Sequence, residues 1–398
     1  MMILTEGVGM LGVEGVGVEG VGGGLVGRVA DVAPLVAEQA AKAEASRRLT
    51  PETAQAIAEA GFARHFVPAR WGGAEGGFAE YVRGVSALAR ADASAGWCAS
   101  LAAAVGRMAG FLPEAGQRAL WSGGPDTLIV SGLIPAGSAV AVDGGWVLEG
   151  TWPYVSEVHY ADWALVCCPV PLGEGLERTE VRMLLVPREA YGVHETWHTS
   201  GMRATGSETL VLEPTFVPVG HTFAREEMLT GRAGSADAHA APFKSVSGLS
   251  FAAPMLGAAD GALDAWCAGA ARCRAKPRDG NRLTPDMSAT ADLTLSRSAA
   301  EVDAARLLVE RAAQDADAGR VTDRLVAARA QRDHVAAGDL VLDAVNRLLR
   351  TAGTGAQHES SPLQRFWRDV NAAAGHAAMQ WEPAARAYAS LVLAPCGG

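Results

Sequence analysis

The sequence predicts an α+β chain of several domains: a helical N-terminal domain over residues 28–125, a central antiparallel β-barrel over 126–225 and a C-terminal helical bundle over 226–398. Three observations carry this. Apolar residues recur at helical spacing up to about Trp121. Short β-rich runs separated by turns fill Thr127 to Val217. Long stripes of Ala, Leu and Val at helical spacing return from about Ala241. A chain of 398 residues has room for two to three folding units of about 150 residues each.

Residues 1–27 form a Gly-rich tail in which Gly-Val-Glu-Gly-Val repeats. It contains two GxGxxG patterns, Gly7/Gly9/Gly12 and Gly15/Gly17/Gly20, but only Met2-Ile3-Leu4 precedes them as a strand candidate. A dinucleotide site needs a strand before the glycines and a helix after, so low complexity is the simpler reading. The tail also lacks a basic start and a continuous apolar core, which argues against a secretion signal. From Arg28 onward, Val32, Leu35, Val36 and Ala40 make one apolar helix face. Thr50-Pro51-Glu52-Thr53 is a helix start, with a capping hydroxyl, a proline in the first turn and an acid near the positive end. Gly61 ends that helix, Pro68–Gly73 reads as a loop, and another helix runs from about Phe78 to Ala91.

In the centre, Thr127–Val130, Ala164–Cys168, Val181–Val186 and Thr209–Leu212 are strand runs. Asp143-Gly144-Gly145 between Val140–Val142 and Trp146–Leu148 is a hairpin signature. Toward the C-terminus, Val302, Ala305, Leu308 and Ala312 form one stripe, and Val341, Val345 and Leu348 another. Such stripes pack helix on helix, either inside a bundle or across subunits.

Composition removes several classes. The chain is 49% hydrophobic and 20% charged, with a net charge of −10 and lysine only at positions 42, 244 and 276, which disfavours nucleic-acid binding. No run of 18 apolar residues predicts a membrane span. The six cysteines form no CxxC pair and suit a reducing, cytoplasmic setting. GxSxG and GxxxxGK[ST] are absent. His194-Glu195-Thr196-Trp197-His198 matches HExxH, but Gly and β-formers flank it. On a strand the two imidazoles stand about 13 Å apart, so no metal site is expected.

The residues that point to chemistry come in blocks. The first comprises Pro135–Ala139, Asp143–Trp146, Gly150–Ser156 and Ala161–Trp163. The second is Gly201–Ser207 with Phe216–Pro218. The third is Gly353–Gly355, Ser361–Asp369 and His376, and a weaker fourth is Asp92–Ser94 with Trp97. In this order they resemble the acyl-CoA dehydrogenase fold, and within it the two-component (group D) flavin-dependent monooxygenases. The resemblance spans about residues 28–395 and implies a hydroxylase that uses reduced FMN or FAD from a separate flavin reductase. Its substrates would be O2 and a small aromatic or natural-product molecule, as in secondary metabolism. Oxygen transfer would pass through a C4a-peroxyflavin, which needs a dry cavity over the ring. A homo-oligomer, dimer or tetramer, is also implied.

By position, the resemblance puts Trp152, Tyr154, Val155 and Ser156 beside the isoalloxazine, with the Ser156 hydroxyl near N5. Read without it, Trp152 and Tyr154 are core aromatics and Ser156 a turn donor. Arg203, Thr205 and Ser207 suit a flavin phosphate or ribityl chain, or else a plain surface turn. Arg274 is a candidate phosphate partner. Gly353 and Gly355 would let backbone approach the cofactor, or merely stop a helix. His376 is the catalytic candidate together with Ser156, since an imidazole there can deprotonate a phenol or hydrogen-bond the bound oxygen species; the plain reading is a packed histidine. Trp97 and His159 are the substrate-side candidates. Where the family has Gly after the serine and His four places after it, this chain has Glu157 and Tyr160, with His159 one place early.

Acyl-CoA dehydrogenases commonly carry a catalytic glutamate just after the Arg-Asp motif. Here Val370–Ala377 holds no carboxylate before Glu382, which favours the monooxygenase. A dehydrogenase or oxidase acting on a thioester with its base elsewhere is the alternative, and a helical scaffold without cofactor is the third reading.

Overall fold

A computed structural model describes residues 23–172, 179–232, 237–274 and 288–393; most of the Gly-rich tail, with both GxGxxG patterns, lies outside them. The N-terminal helices are α1 (Leu25–Ser46), α2 (Pro51–Ala60), α3 (Phe78–Ala91), α4 (Ala93–Ala109) and α5 (Glu114–Trp121). The Thr50 hydroxyl accepts from the Thr53 amide at 3.2 Å and opens α2, which closes on Gly61. Asp92 caps α4 by accepting from the Ala95 amide at 2.8 Å. Helix α4 is built largely of Ala, Gly, Ser and Cys and is buried along nearly its whole length, because small side chains let other elements approach from every side.

The central segment contains β1 (Ile129–Gly132), β2 (Ser138–Val142), β3 (Gly145–Val155), β4 (Trp163–Pro171), β5 (Thr179–Pro187), β6 (Tyr191–His194), β7 (Glu208–Pro218) and β8 (Thr222–Ala224). The expected antiparallel barrel is not what forms. Two four-stranded sheets, ordered β1-β4-β5-β8 and β2-β3-β7-β6, face each other without closing, and β1 runs parallel to β4. At the seam, β1 and β3 meet through the Trp152 indole, where a ladder would have closed the barrel. A Cβ on Gly132 would fall 2.8 Å from that of Trp152. Val130, Trp152, Val155, Val166, Leu184 and Leu210 fill the space between the sheets. The opposite face of the first sheet packs on α4 and α5 through Ile129, Leu165 and Met183.

The C-terminal part comprises α6 (Arg225–Thr230), α7 (Asp237–Ala240), α8 (Phe243–Val246), α9 (Leu249–Arg274), α10 (Ser288–Asp317), α11 (Arg324–Thr351), α12 (Pro362–Ala374) and α13 (Trp381–Val392). Of the stripe residues, Val302, Ala305, Ala312, Val341, Val345 and Leu348 are buried and Leu308 is half-buried against the same core. Helix α9 lies against α3, α4, α10, α11 and α12. Gly257 permits the close approach to α3, because a Cβ there would stand 2.1 Å from the Ser86 carbonyl oxygen.

Charged pairs join the three parts. Arg368 of α12 pairs with Glu44 of α1 at 2.7 Å, and the buried Asp369 accepts from the Met202 amide at 2.6 Å. These contacts fix the loop between β6 and β7 against both helical regions.

Candidate active site

Strand β3 changes character at its C-terminal end. Trp152 pairs with Leu210 and Val155 with Glu208, so two residues of β3 stand opposite one of β7, and the strand bulges. Tyr154 takes φ +65° and Glu157 φ +62°, left-handed values that cost a non-glycine residue of order 1 kcal/mol or more each. The bulge separates two aromatics that a regular strand would place on one face. Trp152 is wholly buried and donates to the Cys167 carbonyl at 2.9 Å, whereas Tyr154 is 66% exposed. The Tyr154 ring stands edge-on to Trp197 at 6.3 Å. Trp197 is held by its amide, which donates to the Glu208 carboxylate at 2.8 Å, and by its indole N–H, which donates to the Met202 carbonyl at 2.8 Å.

Ser156 begins a chain of hydroxyls. The Trp97 indole N–H donates to Ser156 Oγ at 3.3 Å; Ser156 and Ser207 hydroxyls are 2.8 Å apart, Ser207 and Thr205 2.6 Å, and Thr205 donates to the Met202 carbonyl at 2.9 Å. One observation orders every proton. Thr205 has a single O–H, committed to Met202, so Ser207 donates to Thr205 and Ser156 donates to Ser207. Ser156 is left with a lone pair and no free proton, and can meet only a donor.

His376 lies just past α12 and caps the short turn Ala377–Met379, its Nδ1 accepting from the Ala378 amide at 3.2 Å. The proton of the neutral ring therefore sits on Nε2. The ring stacks on Phe251 of α9 at 3.9 Å and stands edge-on to Trp97 at 5.7 Å. Burial pulls its pKa down to about 4, so at neutral pH it is an uncharged N–H donor. Ser156 and His376 thus flank one indole. A small cavity of about 30 Å³ opens beside Ser156, walled by Leu101 and Val105 of α4, Ser131 of β1, Tyr154 and Glu157. His376 is not among its walls. Glu157 is 5% exposed, and burial pushes its carboxyl up to about 8.

Two family models match: "Acyl-CoA dehydrogenase, N-terminal domain" over residues 9–119 and "Acyl-CoA dehydrogenase, C-terminal domain" over 249–381. The FADH(2)-dependent resorcinol hydroxylase oxygenase component of Rhizobium sp. (strain MTP-10005) is 33% identical over 377 residues, covering 90% of this chain and 91% of the relative. The chain belongs to the acyl-CoA dehydrogenase family. Within the family it is similar to oxygenase components. The flavin-dependent monooxygenase oxygenase subunit HsaA of Mycobacterium tuberculosis is 30% identical, covering 89% of this chain and 91% of that one. Among solved structures, XiaF from Streptomyces sp., in complex with FADH2 and glycerol, has a TM-score of 0.84 and 28% identity over 93% of this chain and 94% of that one. The 3-HSA hydroxylase from Rhodococcus sp. RHA1 also has a TM-score of 0.84, with 27% identity over 93% and 96%.

The structure brings Tyr154, Ser156, Trp97 and His376 together. Others go elsewhere. Trp152 and the Val155 side chain are sealed in the core between the sheets and have no surface to offer a flavin. Thr205 and Ser207 are buried behind Ser156, where they set its proton rather than face a phosphate. Arg203 pairs with Glu44 at 3.3 Å, although its Nε is buried without a partner. His159 is half-buried with an unpartnered Nε2, and burial, with Arg48 nearby, pulls its pKa down. Gly353 and Gly355 lie exposed between α11 and α12, with open space around both. Arg274 ends α9, and its side chain lies outside the described residues. His194–His198 runs from the end of β6 into a loop, not a helix. The sequence reading missed Phe251, Trp197 and Ser131. None carries a local signal except Trp197, whose neighbours were read only for a metal pattern.

Proposed function

We propose that this chain is the oxygenase component of a two-component hydroxylase that takes reduced FAD from a separate reductase and hydroxylates a small phenolic substrate. The carrying observation is the ordered hydroxyl chain, which leaves Ser156 as an acceptor. Reduced flavin presents an N–H at N5, and oxidised flavin does not. FADH2 in the printed names of the resorcinol hydroxylase and XiaF supports FAD over FMN.

The residues present fit such a group. Tyr154 offers an exposed aromatic ring beside the half-buried Trp197, Ser156 a lone pair, and Arg203 a buried unpartnered N–H. When bound, reduced flavin supplies the electrons that activate O2. Ser156 would accept from the ring, and Tyr154 would cover it. His376 would direct its Nε2–H toward the reacting oxygen, with Phe251 and Trp97 keeping water from the imidazole. Because its Nδ1 is occupied, His376 serves this reading as a donor rather than as the base that takes a phenol proton.

The dehydrogenase alternative lacks a ready base. Glu382 is exposed on α13 and paired with Arg386 at 2.8 Å, and Glu157 and Asp369 are both pushed up to about 8 by burial, so they are protonated at neutral pH. The test is an assay with reduced FAD, ¹⁸O₂ and simple phenols. The hydroxylase reading expects one labelled oxygen in the product; reduction of an electron-accepting dye without label would establish the dehydrogenase. A cytoplasmic setting with access to a reductase completes this reading. A homo-oligomer does too, supported by the exposed Leu293 and Leu307 on α10; light scattering in solution checks it. Among the described residues, no helix is long and apolar enough to cross a membrane.

A further inference from the structure

The residue after Ser156 is in an unusual position. Glu157 occupies left-handed backbone that glycine would adopt without strain, its side chain is buried, and its carboxyl has neither a hydrogen bond nor an ion pair among the described residues. Its backbone is well anchored, since its amide donates to the Thr205 carbonyl at 2.9 Å and its carbonyl accepts from the Tyr160 amide at 3.0 Å. The side chain is therefore held by the turn alone and lines the small cavity beside Ser156.

That cavity has a definite chemistry. Its walls are mostly apolar, with Leu101, Ala102, Val105, Ile129 and Val130 around it. The half-buried Ser131 lies on the same wall. A volume of about 30 Å³ admits a group the size of one water or one hydroxyl, and the buried Glu157 carboxyl is costly to leave without a partner until such a group arrives.

Building on the hydroxylase reading, we propose that Glu157 and Ser131 form a substituent-reading subsite. The Glu157 carboxyl hydrogen-bonds a neutral hydroxyl on the aromatic substrate and excludes substrates that carry a carboxylate at that point. A protonated carboxyl can both donate and accept, which suits a phenolic hydroxyl. Burial already holds Glu157 in that form at neutral pH. A substrate carboxylate would enter an apolar pocket beside an acid, with no cation on the walls to pair with it.

The test is anaerobic titration of resorcinol, phenol and 3-hydroxybenzoate into the protein carrying reduced FAD, for wild type, Glu157→Leu and Glu157→Gly. The glycine variant relieves the backbone and keeps the fold. Wild type should bind resorcinol about tenfold more tightly than phenol, as expected for one buried hydrogen bond, and 3-hydroxybenzoate most weakly. In both variants the resorcinol-to-phenol ratio should fall to about one. The infrared spectrum of the flavin-free protein at neutral pH should show a protonated carboxyl that Glu157→Gln removes. An unchanged ratio in the variants, tightest binding of 3-hydroxybenzoate, or no such carboxyl band would overturn the proposal and leave the hydroxylase reading standing. Failure of reduced FAD to bind at all would overturn both.

Discussion

Strand β3 is two structures in one. From Gly145 to Trp152 it pairs with β7 in ordinary extended backbone, the one irregularity at Leu148–Gly150 being an extra residue on β7, and Trp146, Leu148 and Trp152 are buried in the core between the sheets. From Tyr154 into the turn that follows it at Ser156 and Glu157, the chain is bulged and twice left-handed, with an exposed ring, an ordered hydroxyl and a buried acid. The first half is stabilised by what it packs against. The second is held in a conformation that it would not choose alone, and while Val155 packs in the core, Tyr154 faces open space and Ser156 and Glu157 border a small cavity. Strain over-determined by rigid surroundings is where a binding face is expected, since those side chains are aimed before any ligand arrives.

Exchanging the roles of Trp152 and Tyr154 tests this division most forcefully. Trp152→Ala should cost about 3–5 kcal/mol of stability in denaturant unfolding, as for other buried aromatics, while Tyr154→Ala should stay within about 1 kcal/mol of wild type. Comparable losses in both would dissolve the distinction. Next in size is His376→Ala, which should lower the hydroxylation rate about 100-fold or more while costing only about 1–2 kcal/mol of stability from the lost cap and ring contact. A loss confined to stability would make His376 a packing residue.

Smaller effects probe the strained half itself. Thr205→Val removes the hydroxyl that orders the chain and frees Ser156 to donate. The preference for reduced over oxidised FAD should narrow about 3- to 10-fold, read by flavin titration of each redox form. The smallest concerns pH. With a folded pKa near 8 against an ordinary 4.5, Glu157 keeps its proton in the folded chain after the unfolded chain has released it. Its contribution is complete below about 4.5 and is lost as pH rises through 8, at no more than about 1.4 kcal/mol per unit. His239, His334 and His376, pulled down to about 4, work in the opposite sense between about 4 and 6.5. Above pH 6.5 the carboxyls dominate, and Asp369 shares the slope. Glu157→Gln should therefore flatten the fall in stability between pH 6.5 and 8 without abolishing it.

Local chemistry was readable in the sequence wherever one residue decides one feature. The Thr50 cap, the Gly61 stop, the Asp143-Gly144-Gly145 hairpin and the stripes on α10 and α11 all follow from side chain and spacing alone. What depends on two distant segments was not readable. Alternation along Ile129–Gly132 does not say whether its neighbour runs parallel, and it does here, leaving the sheets open. Sequence alone assigned Trp152 and Tyr154 one shared role, ring neighbours or core aromatics, and could not separate them, because a bulge is set by the partner strand. Motif positions led to Trp97, Ser156 and His376, but the proton order that makes Ser156 an acceptor emerges only from three-dimensional contacts. Glu157 was visible as a departure from an expected glycine; its burial and the cavity that it lines were not.

The claim that the irregular end of β3 is the cofactor face is tested most directly by titrating reduced FAD, without oxygen, into wild type and Tyr154→Ala. The account predicts about tenfold weaker binding in the variant, from loss of one stacked aromatic face, with stability unchanged. Equal affinity in the two proteins would place the flavin elsewhere and contradict it.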